Sequence, residues 1–292
     1  MRHRYLCPIR WADLDLLGHV NNVRYVDYLQ EARVDLMRAH RWAGDAAATD
    51  PGDGLVVVRH EVSYTAPLLF SRRPVVIECW VTELRAGRFT MAYEVLHEDE
   101  AGERTVYLRA STVLAPYRFD TESPRRLSRE ERSALEPYLE PQAPAEVAPV
   151  RVRRSDLGHY PVQVRFSDVD VYRHVNNVVY FEYFQEARLR LFMELARDVP
   201  GMKQVRVVVA QTDVDYREAI TLRAEPYDCW TQVAAVGRRS MTVESEIVDG
   251  DRVFARARVV LVFFDTDAGQ AVEPPAAYRE RLVAAVSPAC SS

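Results

Sequence analysis

Two hydrophobic patterns alternate along the chain, and they occur in the same order twice. Over 22–40 and 177–197 the apolar positions cover much of a helical circumference, which predicts two largely buried helices. Around these helices lie segments rich in Val, Thr, Tyr and Phe, with period-two stretches such as TMAYEV at 90–95 that predict β-strands. The predicted strands lie at 4–11, 55–65, 75–84, 88–97 and 104–117, and again at 160–167, 205–216, 227–236, 238–248 and 252–264.

Short polar segments join the predicted strands. ELRAGRF, EDEAGER and VDGDR are typical of turns, so the strands that they join are expected to be antiparallel neighbours. Each half is then expected to end in a short polar helix, and Ser128 and Glu131 have the spacing of a capping box at the start of the first one. One buried helix and one antiparallel sheet in each half make an α+β layer architecture.

The residues themselves are also repeated. RWADLDLLGHVNNVRYVDYLQEAR (10–33) and RFSDVDVYRHVNNVVYFEYFQEAR (165–188) are identical at 14 of 24 positions without a gap. Weaker matches continue through the strands, so we interpret the chain as a tandem duplication of a domain-sized unit. We expect an N-terminal domain at 1–140, a linker rich in Pro, Ala and Arg at 141–158, and a C-terminal domain at 159–292. The second copy would then act as an internal partner that protects exposed sheet edges.

Composition narrows the classes of function. The chain has 292 residues, a formal net charge of −5 and a pI of about 5.9. This balance argues against a nucleic acid as partner. The first residues lack the apolar core of a signal peptide, and no apolar run approaches the roughly 18 residues of a membrane span, so we expect a cytoplasmic protein with no membrane partner. The four cysteines include no Cys-x-x-Cys pair, and Cys79 and Cys229 are expected to be buried apolar residues.

The repeated phrase contains the candidate chemistry at the junction of a strand and a buried helix. Asp13 and Asp15 are expected on one side of an extended segment, because side chains alternate along a strand. The same spacing recurs at Asp168 and Asp170, although a neighbour has changed from Gly to Arg. Ionisable groups in clefts are often functional, so we favour a functional role for Asp15 and Asp170 over a purely structural one.

Two further residue types accompany the carboxylates. Asn21–Asn22 and Asn176–Asn177 fall where the helices begin, where Asn is a favoured cap and where free backbone N–H groups can hold an anion. His19 and His174 follow the second Asp of each copy by four residues. A carboxylate, an imidazole and a helix N-terminus suit acyl transfer, because the carboxylate can attack a carbonyl or activate water while the helix amides stabilise the oxyanion.

Other chemistries have weaker support in the sequence. Asp-x-Asp with His is compatible with a metal, but such a site normally needs three or more protein ligands, and no HExxH, Cys cluster or further repeated His supplies them. There is no G-x-S-x-G for a serine nucleophile and no glycine-rich phosphate loop. We therefore expect no metal and no cofactor.

In the repeated phrase that contains these residues, the chain resembles the hot-dog-fold thioesterases of the 4-hydroxybenzoyl-CoA thioesterase type. DVDVYRHVNNVVYFEYFQEAR is similar to bacterial long-chain acyl-CoA thioesterases, and the HVNN element is similar to plant acyl-acyl-carrier-protein thioesterases. The resemblance covers both halves. It implies a tandem hot dog, in which a curved antiparallel sheet wraps a long helix in each half, and an internal pseudo-dimer that hydrolyses an acyl-CoA thioester at the interface of two hot-dog units.

The resemblance also assigns roles by position. The catalytic Asp of the family matches Asp15 and Asp170, the amide that polarises the thioester carbonyl matches the N–H of Asn22 and Asn177, and the His of the plant enzymes matches His19 and His174. The predicted substrate contacts are Asn21, Asn176, Tyr25 and Tyr180, together with Arg88 and Arg238 in GRFTM and GRRSM, which would meet the CoA phosphates.

The sequence departs from the family at several positions. The Gly-Asp that follows Tyr-x-x-Pro in many relatives is missing after Tyr64 and Pro67, and DYREAITLRAEP lacks that proline as well. The Asn that pairs with the plant His is replaced by Leu17 and Tyr172, so that pairing does not transfer. A non-hydrolytic acyl-CoA-binding module, a hot-dog hydratase of enoyl thioesters and an inactive structural duplicate remain as alternatives. The sequence leaves open which acyl group is hydrolysed and whether it is carried by CoA or by a carrier protein. It also leaves open whether the Asp acts as nucleophile or as base, and whether two tandem chains pair.

Overall fold

The long helix of each half forms where the apolar pattern predicts it. The structure is a computed structural model that describes residues 1–40, 52–143, 149–201, 206–265 and 268–286. Helix α1 spans Arg24–Ala39 and its counterpart α3 spans Val179–Ala196, each within two residues of the predicted bounds. Eight residues of α1 and nine of α3 are buried, because apolar side chains occupy more than one face of each helix.

The chain divides into two compact units, Met1–Glu146 and Val147–Ser292, and each has the same elements in the same order. In the first unit these are β1 His3–Cys7, α1, β2 Asp53–Tyr64, β3 Val75–Leu84, β4 Phe89–Glu98, β5 Arg104–Arg118, β6 Ser123–Pro124 and α2 Arg129–Leu135. In the second they are β7 His159–Val162, α3, β8 Arg206–Tyr216, β9 Tyr227–Val236, β10 Ser240–Asp249, β11 Arg252–Asp265, β12 Gln270–Ala271 and α4 Ala276–Ala285.

Each unit has one antiparallel sheet with the same strand order. In the first unit the order is β1-β3-β4-β5-β2, and in the second it is β7-β9-β10-β11-β8. The first strand therefore pairs with the third, and the second strand lies beside the fifth. The turns predicted between consecutive strands are present as hairpins, which confirms the antiparallel neighbours.

The long helix packs against its own sheet. The Cys79 thiol on β3 lies 4.0 Å from the carbonyl oxygen of Ala32 on α1, and both residues are fully buried. Burial raises the pKa of the Cys79 and Cys229 thiols to about 12, so both are protonated apolar core residues as predicted. Cys290 lies outside the described residues.

The first strand of each unit is shorter than predicted. β1 ends at Cys7, before Pro8, which has no N–H to continue the ladder. The predicted strand 160–167 likewise ends at Val162, and a 3₁₀ turn at Phe166–Asp168 follows. These strands are edge strands within the described pairings of their units, which is why β7 tolerates Pro161.

The helix at the end of the first unit has the predicted cap. The Ser128 hydroxyl accepts a hydrogen bond from the Glu131 N–H at 3.1 Å, and a Glu131 carboxylate oxygen accepts the Ser128 N–H at 2.8 Å. In the second unit, α4 follows Pro275, which provides no side-chain cap. Among the described residues, no helix combines the length and apolar character needed to cross a bilayer.

The boundaries of the linker predicted at 141–158 stay a prediction. Residues 144–148 lie outside the described part of the chain. The described remainder is ordered against the second sheet: Val150 is buried, the Arg153 N–H donates to the Gln232 side chain at 2.9 Å, and Asp156–Gly158 forms a 3₁₀ turn.

Candidate active site

The second Asp of the repeated phrase begins a tight loop that leads to the long helix. The Asp15 N–H donates to the His19 carbonyl at 2.8 Å, and the Gly18 N–H donates to the Asp15 carbonyl at 3.0 Å. Leu14 and Val20 form an antiparallel bridge on either side. Gly18 has a φ of +75°, as expected for the last residue of a three-residue hairpin loop.

The second repeat builds the same loop without glycine. The Asp170 N–H donates to the His174 carbonyl at 2.9 Å, and the Arg173 N–H donates to the Asp170 carbonyl at 3.0 Å. Arg173, in the place of Gly18, still has a φ of +66°, in the left-handed region that favours glycine. The loop geometry is therefore maintained by its hydrogen bonds and not by the identity of that residue.

The loop fixes the Asp15 carboxylate through one oxygen. Oδ1 accepts hydrogen bonds from the Leu17 N–H at 2.8 Å and from the His19 N–H at 3.2 Å. Within the described residues, no donor reaches Oδ2. Asp15 is half-buried. One oxygen is thus held in place while the other remains available for chemistry.

Asp170 has the corresponding environment, with a clear electrostatic consequence. Its Oδ1 accepts the Tyr172 N–H at 2.9 Å. Burial raises the pKa of the Asp170 carboxyl, and the backbone amides of Tyr172 and His174 and the charge of His174 only partly oppose this. A carboxylate with a raised pKa is a stronger base than an ordinary one.

The first Asp of each copy has a different role, and the expected extended segment is wrong at this point. Trp11–Asp13 forms a 3₁₀ turn, and the Asp13 carboxylate is only 2% exposed. It accepts hydrogen bonds from the Arg10 backbone N–H at 2.9 Å, from the Arg10 guanidinium at 2.8 Å and from the Tyr28 hydroxyl at 2.6 Å. Asp13 therefore fastens the turn to the second helical turn of α1.

The second copy repeats this arrangement with Asp168, Arg165 and Tyr183, whose hydroxyl donates at 2.6 Å. Burial opposes ionisation of both carboxyls, but the hydrogen bonds from the arginines and tyrosines outweigh it and lower the pKa of Asp13 and Asp168. The sequence reasoning missed Arg10, Tyr28 and their counterparts. All of them are identical in the two copies, so the repeat contained the signal.

The two Asn residues of each pair make different hydrogen bonds at the helix start. The Asn21 side-chain oxygen accepts the Val23 N–H at 3.0 Å, and the Asn176 oxygen accepts the Val178 N–H at 3.1 Å, so the first Asn of each pair closes the turn that leads into the helix. The carbonyl of the second Asn accepts a tyrosine hydroxyl from the end of β2 or β8: Tyr64 donates to Asn22 at 2.9 Å, and Tyr216 donates to Asn177 at 2.8 Å. These tyrosines tie the helix start to the sheet.

Tyr25 and Tyr180 are the second residues of α1 and α3, and each is 3% exposed. Burial raises the pKa of both hydroxyls, and the negative charges of Asp15 and Asp170 add to the rise in their respective units. Each tyrosine therefore lies near the carboxylate of its own unit. The Tyr180 hydroxyl also accepts the Ile220 N–H at 3.0 Å, and its ring packs at 5.1 Å on Tyr216.

The two predicted phosphate contacts do not occupy equivalent positions. Arg88 is the last residue of the turn in which the Arg85 N–H donates to its carbonyl, whereas Arg238 is the second residue of the turn closed by Gly237 and Ser240. The second hairpin extends two residues further from its cysteine, with last pairs Leu84–Phe89 and Val236–Met241. Both arginines are exposed: Arg88 is 3.8 Å from Glu83, and Arg238 is 2.6 Å from Glu273.

Across the described ranges, no three His, Cys, Asp or Glu residues are grouped so that they could hold a metal ion. The structure thus brings together, in each unit, a half-buried carboxylate, a nearby tyrosine and a helix start fixed by a second tyrosine. Arg88 and Arg238 belong to a different part of the chain, the turns between β3 and β4 and between β9 and β10.

A sequence profile of the thioesterase-like superfamily matches residues 9–149 and again residues 164–282. The chain belongs to the thioesterase-like superfamily. One match in each half supports the tandem duplication, and the prediction of a thioester hydrolase is confirmed at the level of this superfamily. The Bacillus subtilis (strain 168) protein YsmA, which is uncharacterized, is 35% identical over 113 residues, 38% of this chain and 75% of YsmA.

Solved structures of thioesterases have the same fold. An oleoyl thioesterase from Lactobacillus plantarum superposes with a TM-score of 0.73 at 16% identity, over 90% of this chain and 96% of that chain. A 12:0-ACP thioesterase from Umbellularia californica gives 0.68 at 17% identity, over 90% and 98%. At these identities the likeness concerns the fold, and it confirms a hot-dog superfamily architecture with a large antiparallel sheet and few helices.

Proposed function

We propose that this member of the superfamily is an acyl-CoA thioesterase with one catalytic cluster in each unit. The observation that carries the proposal is the half-buried second Asp, which backbone amides of the loop hold in both repeats, seven residues before the second Asn at the helix start. That geometry is kept although Gly18 has become Arg173. The proposal also includes a sheet that curves around the long helix of each unit, in agreement with the burial of α1 and α3.

In the proposed reaction the thioester carbonyl lies against the helix start, and the N–H of Asn22 or Asn177 stabilises the oxyanion. Asp15 or Asp170 either attacks the carbonyl carbon or takes a proton from a water that attacks it. The carbon–sulfur bond then breaks, and the CoA thiolate leaves and takes up a proton. In the first route, water hydrolyses the resulting anhydride and restores the carboxylate.

The remaining predicted residues would support this step. His19 and His174 would orient the carboxylate or the water, which agrees with the influence of His174 on Asp170. Asn21 and Asn176 would hold the helix start through their hydrogen bonds to the N–H groups of Val23 and Val178. Tyr25 and Tyr180 would line the acyl end of the site. Location of each site at an interface between two hot-dog units stays a prediction.

The CoA part of the substrate has its own proposed contacts. Arg88 and Arg238 are exposed on hairpin turns, where their guanidinium groups are accessible to phosphate. Because the two arginines differ in turn position, we expect their contributions to CoA binding to differ. A carrier protein in place of CoA would not need these contacts, so comparison of the two thioester forms addresses this point directly.

The test is release of free thiol from acyl-CoA esters of graded length. Asp15→Asn combined with Asp170→Asn should lower kcat/KM by about a thousandfold or more, because the group that attacks or activates water is lost. The matched control is Asp120→Asn with Asp251→Asn, which makes the same charge change at exposed positions, one in each unit. Full activity of the Asp15/Asp170 variant would remove the catalytic assignment. Binding without thiol release would favour the acyl-binding module, and hydration of crotonyl-CoA would favour the hydratase.

A further inference from the structure

The long helix of the first unit has a buried arginine whose charge has no anionic partner among the described residues. Arg33, in the middle of α1, is 6% exposed. Within the described residues, its Nη1 has no hydrogen-bond partner. A guanidinium group cannot lose its proton in a protein, and a buried charge without a counter-ion is costly. The arrangement therefore points to a missing acceptor, and the strongest acceptor for guanidinium is an anion with paired oxygens.

A group of three buried polar side chains on neighbouring strands includes Tyr93, which lies beside this guanidinium. Tyr93 on β4, Thr112 on β5 and His60 on β2 are at most 1% exposed, and the Thr112 hydroxyl is 2.9 Å from His60 Nδ1. The strand register places them on one face of the sheet, because Thr112 is opposite His60 and Tyr93 is opposite Ala110. Burial raises the pKa of Tyr93, and both Arg33 and Thr112 oppose the rise, so its hydroxyl lies beside both.

The Tyr93 hydroxyl has no carboxylate acceptor among the described residues. It is 3.6 Å from the Met91 sulfur, and a thioether is a weak acceptor. The carboxylates of β3 and β4 are paired with other arginines: Glu78 and Glu94 pair with Arg104, Glu83 with Arg85 and Glu98 with Arg4. A cation and a donating hydroxyl thus converge on one buried place without an anionic acceptor from the described residues.

This cluster is specific to the first unit. Arg188 repeats Arg33 and is equally buried, at 5% exposed. His60 precedes Tyr64 by four residues, and Thr212 precedes Tyr216 by four residues, so Thr212 is the counterpart of His60. His60 pairs with Thr112 on β5, whereas Thr212 pairs with Val259 on β11. The hydroxyl beside the first arginine has therefore become an apolar side chain in the second unit.

The position of Arg33 relates the cluster to the proposed catalytic site. Tyr25, Leu29 and Arg33 are separated by four residues each and so lie on one face of α1, and all three are buried. Tyr25 is near Asp15. From Asn22 to Arg33 the helix rises about 16 Å, and the long side chain reaches back toward the helix start, so an acyl chain of medium length spans the interval.

We propose that Arg33, Tyr93 and Thr112 form a buried carboxylate subsite that receives the far end of the acyl group, so that thioesters of medium-length dicarboxylic acids are preferred substrates of the first unit. This proposal rests on the proposed thioesterase function. In the complex the guanidinium donates to the terminal carboxylate, and the Tyr93 hydroxyl turns from the Met91 sulfur to a carboxylate oxygen. No covalent step is involved.

The first measurement compares two CoA thioesters of equal length, octanedioyl-CoA with its free carboxylate and octanoyl-CoA. The full chain is expected to have about tenfold higher kcat/KM for octanedioyl-CoA, because a charged hydrogen-bonded pair forms. Arg33→Met keeps an unbranched side chain without the charge, and it should lower this preference about tenfold, mainly through the dicarboxylic substrate. Absence of the preference, or its survival in Arg33→Met, would overturn the subsite.

Variants that keep Arg33 protect the test against misfolding. Tyr93→Phe and Thr112→Val, the latter reproducing the residue of the second unit, should each lower the preference about threefold because one hydrogen bond is lost. The control is Ser111→Ala, whose side chain bonds Glu61 and, next to Thr112 on the strand, faces the opposite side. It should leave the preference unchanged. Equal effects of Ser111→Ala and Thr112→Val would overturn the subsite.

A binding readout separates the two proposals. The melting temperature of the full chain is measured with free octanedioate, octanoate and acetate. If both thioesters are hydrolysed without preference, the thioesterase stands and the subsite fails. If neither is hydrolysed, the function fails, and stabilisation by octanedioate in the full chain but not in Arg33→Met retains the anion site alone. Equal stabilisation by acetate and octanedioate assigns the site to a free small anion and overturns the acyl assignment.

Discussion

The two repeats keep the loop that holds the carboxylate and the contacts at the helix start, and they differ in a hairpin and in the core beside the central arginine. Asp15 and Asp170 sit in loops with the same hydrogen bonds, although Gly18 is replaced by Arg173. By contrast, the hairpin that carries Arg238 extends two residues further beyond its cysteine than the hairpin that carries Arg88. The core next to the central arginine also differs, since Thr112 in the first unit corresponds to Val259 in the second. Backbone hydrogen bonds thus preserve the loop of the proposed catalytic Asp, while the side chains that we propose to contact the two ends of the substrate have diverged.

The largest expected effect separates the two Asp residues of one phrase. Asp13→Asn should destabilise the first unit by about 2–4 kcal/mol, because a buried, charged hydrogen-bond acceptor for Arg10 and Tyr28 is lost. Asp15→Asn should change stability by less than about 1 kcal/mol, since it is half-buried and keeps an oxygen for the loop amides. Urea unfolding of the two variants measures the difference, and Asp168→Asn with Asp170→Asn repeats it in the second unit.

The same pair gives a pH test of stability. The pKa of Asp13 is lowered in the folded state, so its stabilising contribution is complete above the ordinary Asp pKa and is lost as pH falls through the lowered value. The advantage of the unmodified chain over Asp13→Asn should therefore shrink in acid. An advantage that stays constant from neutral pH down to about pH 3 would contradict the role given to this carboxylate.

An exchange at the loop residue tests whether its backbone is the same in both repeats. Gly18→Arg should destabilise by about 1 kcal/mol, and Arg173→Gly should stabilise by a similar amount, because only glycine adopts positive φ without cost. A steric clash does not contribute to this cost, because a Cβ at Gly18 would meet no atom within 4 Å. Opposite signs of the two changes in urea midpoint support the shared loop; equal signs contradict it.

A smaller contrast exists at the terminal helices. Ser128→Ala removes the cap of α2 and should cost about 1 kcal/mol. Pro275→Ala, at the start of α4, removes no side-chain cap and should cost less. The difference in thermal midpoint between these two variants measures the cap, and a greater loss from the Pro275 change would show that α4 depends on that position in another way.

The smallest expected effect is a displacement of the acid limb of activity. In Asp15→Asn only Asp170 remains as the proposed catalytic carboxylate, and its pKa is raised by burial. Because the ionised form is required, kcat/KM in this variant should fall on acidification at a pH above the ordinary Asp value of about 3.9. A pH–rate profile of free-enzyme kcat/KM checks this, with Asp120→Asn as the control that retains both sites.

The hydrophobic pattern was sufficient for most secondary structure. The bounds of β3 and β9 agree with the prediction, and those of α1 and α3 differ by at most two residues, because apolar periodicity reports which face of an element is buried. The first strands were predicted too long, since pairing ends where the partner strand or an N–H is missing. The Ser128 cap was found because its partners are three residues apart in the chain.

Repetition within the chain identified the residues of the candidate site but not their separate roles. The repeat alone does not distinguish Asp13 from Asp15, because both are identical in the two copies, and it was the family resemblance that pointed to Asp15. The structure shows different contacts: Tyr28 from the helix reaches Asp13, whereas the donors that reach Asp15 among the described residues are loop amides. Tertiary contacts from residues far along the chain likewise decided that Tyr64 holds the helix start and that Arg33 is buried beside Tyr93.

The sequence by itself determined the duplication, the element order, the superfamily resemblance and the set of repeated polar residues. Local periodicity and local hydrogen bonding depend on neighbours in the chain, which the sequence displays directly. The tertiary structure alone decided that Asp13 and Asp168 bond the helix tyrosines, how far each hairpin extends from its cysteine, and that the buried Arg33 has no anionic partner among the described residues. These features depend on strand register and on side chains that meet across the sheet, and such meetings arise only when distant segments pack together.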